Sequence, residues 1–392
     1  MPVPPSIHRL SLAALDQPAL EELVQHGEDL LVERKQDLPK PPRFGAAAGS
    51  LANTLGGWIL LGVGDNGTVH GWAKPERLDL QSHLGSVIGA QVDPLPPFAT
   101  EMREVDGKPI AVIRVFASAD VPHIVRGTGA VYVRSSKGKE PVDDHRTLLE
   151  LARRGEEAEA RARRRLVELP AVGYALRPPD WRPAGVVFAD EVDVRYIVRA
   201  APLTVTPALS EWPLTSRAAD SLVAMADVLL PPPQPRRMPF KRQAPAITPF
   251  ARGAVVTAAQ QTGIDRPDSV ALVADSGGVL GVAVARGVAG DHPVVLLQAM
   301  LEDELKPIAR AIADVLRQAE AYGRVAVDLW MLLPSNANVH EQQIEDVPRE
   351  LYVARELTVP ADEDGVDGLA LSWHRELQRA MGIVKYEDDQ TY

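Results

Sequence analysis

The feature that most constrains this chain is a continuously apolar run, Trp58 to Val63, with turn-forming residues on both sides. So short and apolar a run predicts a β-strand that is buried on both faces. Gly56-Gly57 precedes it and Asp65-Asn66-Gly67 follows it, and these residues tolerate the positive φ angles of caps and tight turns. The run therefore predicts a layered core in which other elements cover both faces of this strand.

The segments beside this strand predict a compact α/β unit. Leu30 to Lys35 is a short apolar-then-charged run, which is typical of a strand. Phe44 to Leu55 is rich in alanine and leucine and is followed by glycine, which predicts a helix with a glycine cap. Thr68 to Trp72 follows the Asn-Gly turn and is predicted to be the partner strand.

Charged side chains lie at the edges of this unit. Glu33 and Lys35 are two residues apart, so on a strand they share a face. Glu28 comes at the end of the preceding helix, and Asp65 follows the buried strand. Three carboxylates suit a hard cation such as Mg²⁺ or Mn²⁺, and a neighbouring lysine would stabilise charge on a phosphodiester. The alternative is a solvated helix end, an exposed strand edge and an ordinary turn aspartate.

The same residues carry a resemblance to a known family, the Schlafen-type AlbA-like domain. It covers about residues 18 to 155. A late strand, Tyr132-Val133-Arg134 followed by Ser135-Ser136, also resembles the family pattern. The segments with the family's spacing are Glu28-x4-Glu33-x-Lys35, Ala52-Asn53-Thr54-x-Gly56-Gly57 and Leu61-Gly62-Val63-x-Asp65-x-Gly67 with Gly71.

The resemblance implies a metal-dependent endoribonuclease that cuts structured RNA such as tRNA, in stress or phage defence. Glu28 and Glu33 match the two glutamates of the family's metal site, and Asp65 matches its aspartate. Lys35 would then steady the charge of the transition state, and the cofactor would be Mg²⁺ or Mn²⁺. One departure is Arg34, where the family usually has an aromatic or aliphatic residue. Many bacterial members resemble ATP-binding or transcription-regulating proteins instead.

Charge and composition bound the class of protein. The net charge of −11 argues against a generally basic nucleic-acid coat protein but allows a local basic lining. We expect that lining to comprise Arg126, Arg134, Lys137 and Lys139, in the late strand and its loop. The chain has no cysteine, which excludes disulfides and Cys-based zinc sites. No signal peptide or membrane span is evident, so a cytoplasmic location is expected.

The length of 392 residues predicts several domains. We divide the chain into a Schlafen AlbA-like domain over 1–155, a helical connector with middle strands over 156–235, and a C-terminal α/β domain over 236–392. A basic patch around Phe240 follows a proline-rich segment, and it fits either a nucleic-acid contact or a solvated linker. Asp362 to Asp364 is predicted to be an acidic loop before a last helix, Ser372 to Met381.

The predicted fold class is α/β with an α+β mixed sheet in two lobes. The leading function is metal-dependent cleavage of RNA. One rival is a non-catalytic regulator that binds a nucleotide, such as ATP, or a nucleic acid. Another is a structural adaptor whose C-terminal half binds a protein partner or forms a homo-oligomer. No membrane partner is expected.

Overall fold

The computed structural model describes most of the chain in two compact units. The described residues are 10, 12, 15–73, 79–136, 138–167, 194–230, 240–250, 252–262, 268–286, 294–295, 299–319, 321–333, 338–339, 350–359 and 363–381. The first unit comprises Met1–Arg161 with Leu203–Ala208, and the second comprises Ala162–Pro202 with Leu209–Tyr392. None of the described helices is both long enough and apolar enough to cross a membrane.

The first unit is built on a mixed four-stranded sheet in the order β1-β2-β5-β4. Strands β1 and β2 are parallel, and the other two neighbouring pairs are antiparallel. A second sheet, β3-β6-β7-β8, is antiparallel throughout. The strands are β1 Val32–Lys35, β2 Gly56–Leu61, β3 Val92–Asp93, β4 Phe98–Val105, β5 Lys108–Phe116, β6 Ile124–Val125, β7 Ala130–Ser135 and β8 Gly138–Pro141.

Helices close this unit around the predicted central strand. All six residues of β2 are buried, as the apolar run predicted. Its Ile59 and Leu61 pack into one core with two helices, while Trp58 lies beneath Arg114 on the opposite face of the sheet. The helices are α1 Gln17–Gln25, α2 Pro41–Asn53, α3 Leu80–Gly89 and α4 His145–Val167.

Two local predictions around β2 have different outcomes. Gly56 adopts a φ of 72° just after α2, so the need for glycine there is confirmed. The partner strand predicted over Thr68 to Trp72 is wrong, because only an isolated bridge joins Val63 to Val69. The reason is local: Gly62 and Gly71 both have positive φ, so the returning chain turns away from β2 after one bridge.

The second unit is an antiparallel seven-stranded sheet covered by helices. Its order is β10-β11-β12-β13-β9-β15-β17, and β14 pairs with β16 separately. Alternate residues of its strands share one apolar core with α6, α7 and α8. The strands are β9 Val194–Pro202, β10 Phe240–Phe250, β11 Gly253–Thr262, β12 Asp268–Asp275, β13 Val279–Arg286, β14 Val294–Val295, β15 Gly323–Leu332, β16 Asn338–Val339 and β17 Glu350–Val359.

The C-terminal half of the chain contains the predicted last helix. A π-helical turn, Met300–Leu305, leads directly into α7, and the last helix starts earlier than predicted. Glu363 and Asp364 form its first turn rather than an acidic loop, because carboxylates are favourable at the positive end of a helix dipole. The helices are α5 Pro207–Glu211, α6 Ser216–Leu229, α7 Lys306–Gln318 and α8 Glu363–Ala380.

The two units do not follow the three predicted segments. Strand β9 lies in the predicted connector, 156–235, yet it pairs with β13 on one side and β15 on the other. It is therefore a central strand of the C-terminal sheet, and that unit begins well before residue 236. Overall the fold is α+β, with the N-terminal mixed sheet and the second lobe that the sequence predicted.

Candidate functional site

A chain of four charged side chains runs across the edge of the first unit. The Nζ atom of Lys35 lies 2.9 Å from Oε1 of Glu28 and 3.0 Å from Oε1 of Glu33. The other carboxylate oxygen of Glu33 lies 2.5 Å from Nη1 of Arg134. Glu33 and Lys35 are thus on one face of β1, as the two-residue spacing predicts. We call Glu28, Glu33, Lys35 and Arg134 the charge chain.

Arg134 is the buried end of the charge chain. Its side chain is 1% exposed, and its Nη2 donates to the carbonyls of Asp29 at 2.5 Å and Val32 at 3.1 Å. Its Nε donates to the carbonyl of Leu30 at 3.3 Å. The guanidinium therefore fastens β7 to the backbone that leads into β1. The prediction that Arg134 contacts a nucleic-acid backbone does not suit this position, because its donors already serve protein acceptors.

The motif around α2 explains why β7 reaches this place. The backbone N–H of Arg134 donates to Oγ1 of Thr54 at 2.9 Å. Nδ2 of the buried Asn53 donates to the carbonyls of Tyr132 and His123, at 2.9 and 3.1 Å. Asn53 and Thr54, at the end of α2, therefore fix the position of β7 relative to β1. The pair belongs to the Ala52-Asn53-Thr54 segment that resembles the family pattern. Its hydrogen-bond partners lie too far along the chain to be predicted from the sequence.

Glu33 and Lys35 are held ionised by their partners in the charge chain. Burial opposes ionisation of Glu33, but Lys35 and Arg134 outweigh it and lower the pKa of this carboxyl. Burial likewise disfavours the charged amine of Lys35, yet Glu28 and Glu33 outweigh it and raise its pKa. Two carboxylates and two cations thus form a neutral set at neutral pH.

Asp65 is held through its backbone carbonyl. Its side chain is in the exposed turn after β2, and its backbone carbonyl accepts from Nη2 of Arg34. Nη1 of the same guanidinium donates to the carbonyl of Val24 at 3.2 Å, so Arg34 ties the turn to the end of α1. Arg34 is 3% exposed. Arg34, which departs from the family pattern, therefore links the turn to α1 from a buried position. The charge of this residue gives no reason to predict that role.

The carboxylates of Glu28 and Glu33 have the oxygen-donor chemistry that Mg²⁺ or Mn²⁺ takes, but a cation already lies between them. Among the described residues, no group of three or more His, Cys, Asp or Glu side chains is placed to hold a metal ion. Glu28 and Glu33 do share one cation, but that cation is the ammonium of Lys35. A divalent ion would have to replace this ammonium, so the assignment of Glu28, Glu33 and Asp65 as ligands stays a prediction.

The predicted basic lining divides into separate places. Arg126 is exposed and pairs with Asp93 at 3.0 Å, and Lys137 lies outside the described residues. Lys139 is half-buried on β8 opposite Arg134, and its Nζ lies 3.4 Å from the carbonyl of Arg43. Burial lowers the pKa of Lys139, and the charges of Lys35, Arg134 and Arg43 lower it further although Glu33 acts the other way. Arg43 was not predicted, since a lone arginine in a helix carries no signal.

A buried histidine lies beside the Asn53 motif. His123 is 1% exposed, and its Nδ1 pairs with the carbonyl of Pro94 at 2.7 Å, so this nitrogen carries the proton. Nε2 is buried and has no hydrogen-bond partner among the described residues. Burial lowers the pKa of this imidazole to about 4, which keeps it neutral at physiological pH.

We expect His123 to make the fold sensitive to mild acid. The unfolded chain takes up this proton as the pH falls below 6.5, while the folded chain resists until about pH 4. Between these values the free energy of unfolding should fall by about 3 kcal/mol as the pH falls. Urea titrations from pH 4 to 7.5 measure this. His123→Gln should flatten the profile even if it is less stable, and exposed His70→Gln should not. An unchanged slope in His123→Gln would contradict the assignment.

Comparison with known proteins finds a family model that matches the part of the chain carrying this site. Residues 28–143 match the family model described as Schlafen, AlbA_2. The crystal structure of the DIP2311 protein from Corynebacterium diphtheriae matches with 19% identity, 32% of this chain, 26% of that chain and a TM-score of 0.25. The solution structure of the N-terminal domain of a RecG-related protein from Nitrosomonas europaea matches with 22% identity, 32% of this chain, 92% of that domain and a TM-score of 0.24. No curated protein matches the chain.

Proposed function

We propose, from the premise that residues 28–143 form a Schlafen AlbA_2 domain, that this domain binds nucleic acid, with RNA as the leading ligand. One observation carries the proposal. Beside the neutral charge chain lie two cations, Lys139 and Arg43, that make no ion pair with any carboxylate of the described residues. Cations without an ion-pair partner at one place in a chain of net charge −11 favour a polyanionic ligand.

The charge chain supports this binding indirectly. Because Glu33 is already shared by Lys35 and Arg134, it compensates Lys139 only in part. The half-buried amine of Lys139 is also less well solvated than a surface lysine, so a phosphate oxygen would restore part of what burial removes. The binding is expected to be local, electrostatic and independent of sequence.

Binding is tested with fluorescently labelled tRNA and a 12-nucleotide single-stranded RNA. We expect the affinity of the full-length protein for the single strand to fall by about sevenfold between 50 and 200 mM salt, since two neutralised phosphates give a log–log slope of about −1.4. A DNA strand of the same sequence measures the preference for RNA. Absence of binding at 50 mM salt would refute the proposal.

Metal-dependent cleavage of RNA is the second candidate function. The observation that favours it is the ammonium of Lys35, within 3.0 Å of both Glu28 and Glu33, because it marks a place where two carboxylates share one cation. Mg²⁺ or Mn²⁺ in that place would act as a Lewis acid on a phosphodiester. Glu28 and Glu33 would hold the ion, Asp65 is the predicted third ligand, and Lys35 is predicted to steady the charge on the phosphodiester.

Cleavage is tested with tRNA and rRNA in Mn²⁺, in Mg²⁺ and in EDTA. The informative variant is Glu28→Gln, because the Glu28 side chain is 38% exposed whereas Glu33 is part of the buried ion pair. If both glutamates are ligands, Glu28→Gln should weaken Mn²⁺ binding in calorimetry and slow cleavage by orders of magnitude. RNA binding without metal-dependent cleavage by the wild-type protein would instead identify the non-catalytic regulator. ATP binding that survives Glu28→Gln would support a nucleotide-binding form of it.

A further inference from the structure

The amine of Lys139 lies against the backbone of Arg43. Nζ of Lys139 on β8 lies 3.4 Å from the backbone carbonyl of Arg43, in the first turn of α2. The Arg43 side chain is exposed, and the exposed Lys40 caps the same helix. We call Lys139 and Arg43 the cation corner. The first turn of α2 contains no acidic residue, so its own sequence does not neutralise the corner.

Side chains, rather than backbone amides, are the donors at the cation corner. Pro41 and Pro42 have no N–H group, and the N–H groups of Arg43 and Phe44 both bond to the carbonyl of Lys40, at 2.9 and 3.2 Å. The end of α2 is therefore not an amide cradle of the kind that helix N-termini offer. What the corner offers is a half-buried ammonium and an exposed guanidinium.

We infer that the cation corner is a subsite for a terminal phosphate monoester of RNA. This inference rests on the proposed function and deepens it. A monoester carries close to two negative charges at neutral pH, whereas an internal diester carries one. Lys139 and Arg43 supply two positive charges that no described carboxylate pairs with, so the monoester is the better match. The planar guanidinium also suits the two oxygens of a terminal phosphate.

The inference is tested on the full-length protein with three RNA strands of one sequence. One carries a 5′-phosphate, one a 3′-phosphate, and one has hydroxyls at both ends. We expect at least one phosphorylated strand to bind about tenfold more tightly than the hydroxyl strand, as one extra charge-assisted contact allows. The two phosphorylated strands also tell which end is recognised.

Single substitutions separate the corner from net charge. Lys139→Met and Arg43→Met should each remove most of the tenfold preference. The control is Arg153→Met, which changes the net charge by the same amount. Arg153 lies on the exposed face of α4, where its side chain is 64% exposed and pairs with Glu150. This variant should keep the tenfold preference. Circular dichroism and thermal melting check that each variant is folded.

The possible results sort into distinct conclusions. Equal binding of all three strands would overturn the inference and leave the proposed function standing. A preference that survives in both Lys139→Met and Arg43→Met would also overturn it. Failure of every strand to bind would refute the proposed function itself, and the inference with it.

Discussion

Arg134→Met is expected to lower the free energy of unfolding by about 3–5 kcal/mol. The methionine roughly keeps the apolar stem but leaves Glu33, a carboxylate with a side chain only 9% exposed, with Lys35 as its remaining cation. It also leaves the carbonyls of Asp29, Leu30 and Val32 without their guanidinium donor. Buried acceptors that lose their donors add to the cost of the broken pair.

Urea unfolding at pH 7 measures this effect. Arg126→Met is the matched control, because Arg126 is in the same domain and also pairs with a carboxylate but is 56% exposed. The control should change the free energy of unfolding by no more than about 0.5 kcal/mol. A loss below about 1 kcal/mol in Arg134→Met would contradict the structural role given to Arg134.

Asp328→Asn should destabilise the second unit by about 3 kcal/mol. Asp328 on β15 is 2% exposed, and its two oxygens lie 2.9 and 2.6 Å from Nε and Nη2 of Arg199 on β9. Burial raises the pKa of the Asp328 carboxyl, although Arg199 acts in the opposite direction. Burying the pair costs solvation free energy, which its hydrogen-bonding geometry has to offset. Asparagine leaves the guanidinium on the central strands without its counter-charge.

A second bidentate pair in the same sheet provides the control. Arg324 and Glu356 pair across β15 and β17 at 2.7 Å, with side chains 30% and 39% exposed. Glu356→Gln should therefore cost no more than about 1 kcal/mol. The double variant Arg199→Met with Asp328→Leu should regain much of the loss, because it removes both buried charges. Equal losses in Asp328→Asn and Glu356→Gln would contradict the view that burial decides the cost.

The local part of the site could be predicted from sequence because it depends on period and spacing. Two residues apart on a strand means one face, and Glu33 and Lys35 are indeed neighbours. The partner that buries Glu33 could not be predicted, because Arg134 comes 101 residues later and arrives through the pairing of a different sheet. The role of Arg34 could not be predicted either, because its hydrogen bond to the carbonyl of Val24 in α1 is visible only in the folded structure.

The sequence does not predict the two strands at the edges of the C-terminal sheet. Strand β10 contains Pro245 and Pro249, which argue against a strand unless it lies at an edge, and β10 is an edge strand. Strand β17, Glu350–Val359, at the other edge, does alternate buried and exposed residues for most of its length, so a signal was present. Helices from distant segments of the chain decide which faces of these strands are buried. The use of the C-terminal half as a protein-binding or self-associating surface stays a prediction.

The central claim is that the N-terminal domain binds nucleic acid at the cation corner. It is tested most directly by the salt dependence of RNA binding in the double variant Arg43→Met with Lys139→Met, beside Arg153→Met. We predict that the log–log slope of the double variant is shallower by about 1.4 than that of the wild type, as the loss of two phosphate-neutralising charges requires. Arg153→Met should keep the wild-type slope. A double variant that is folded and binds RNA with unchanged affinity and slope would contradict the claim.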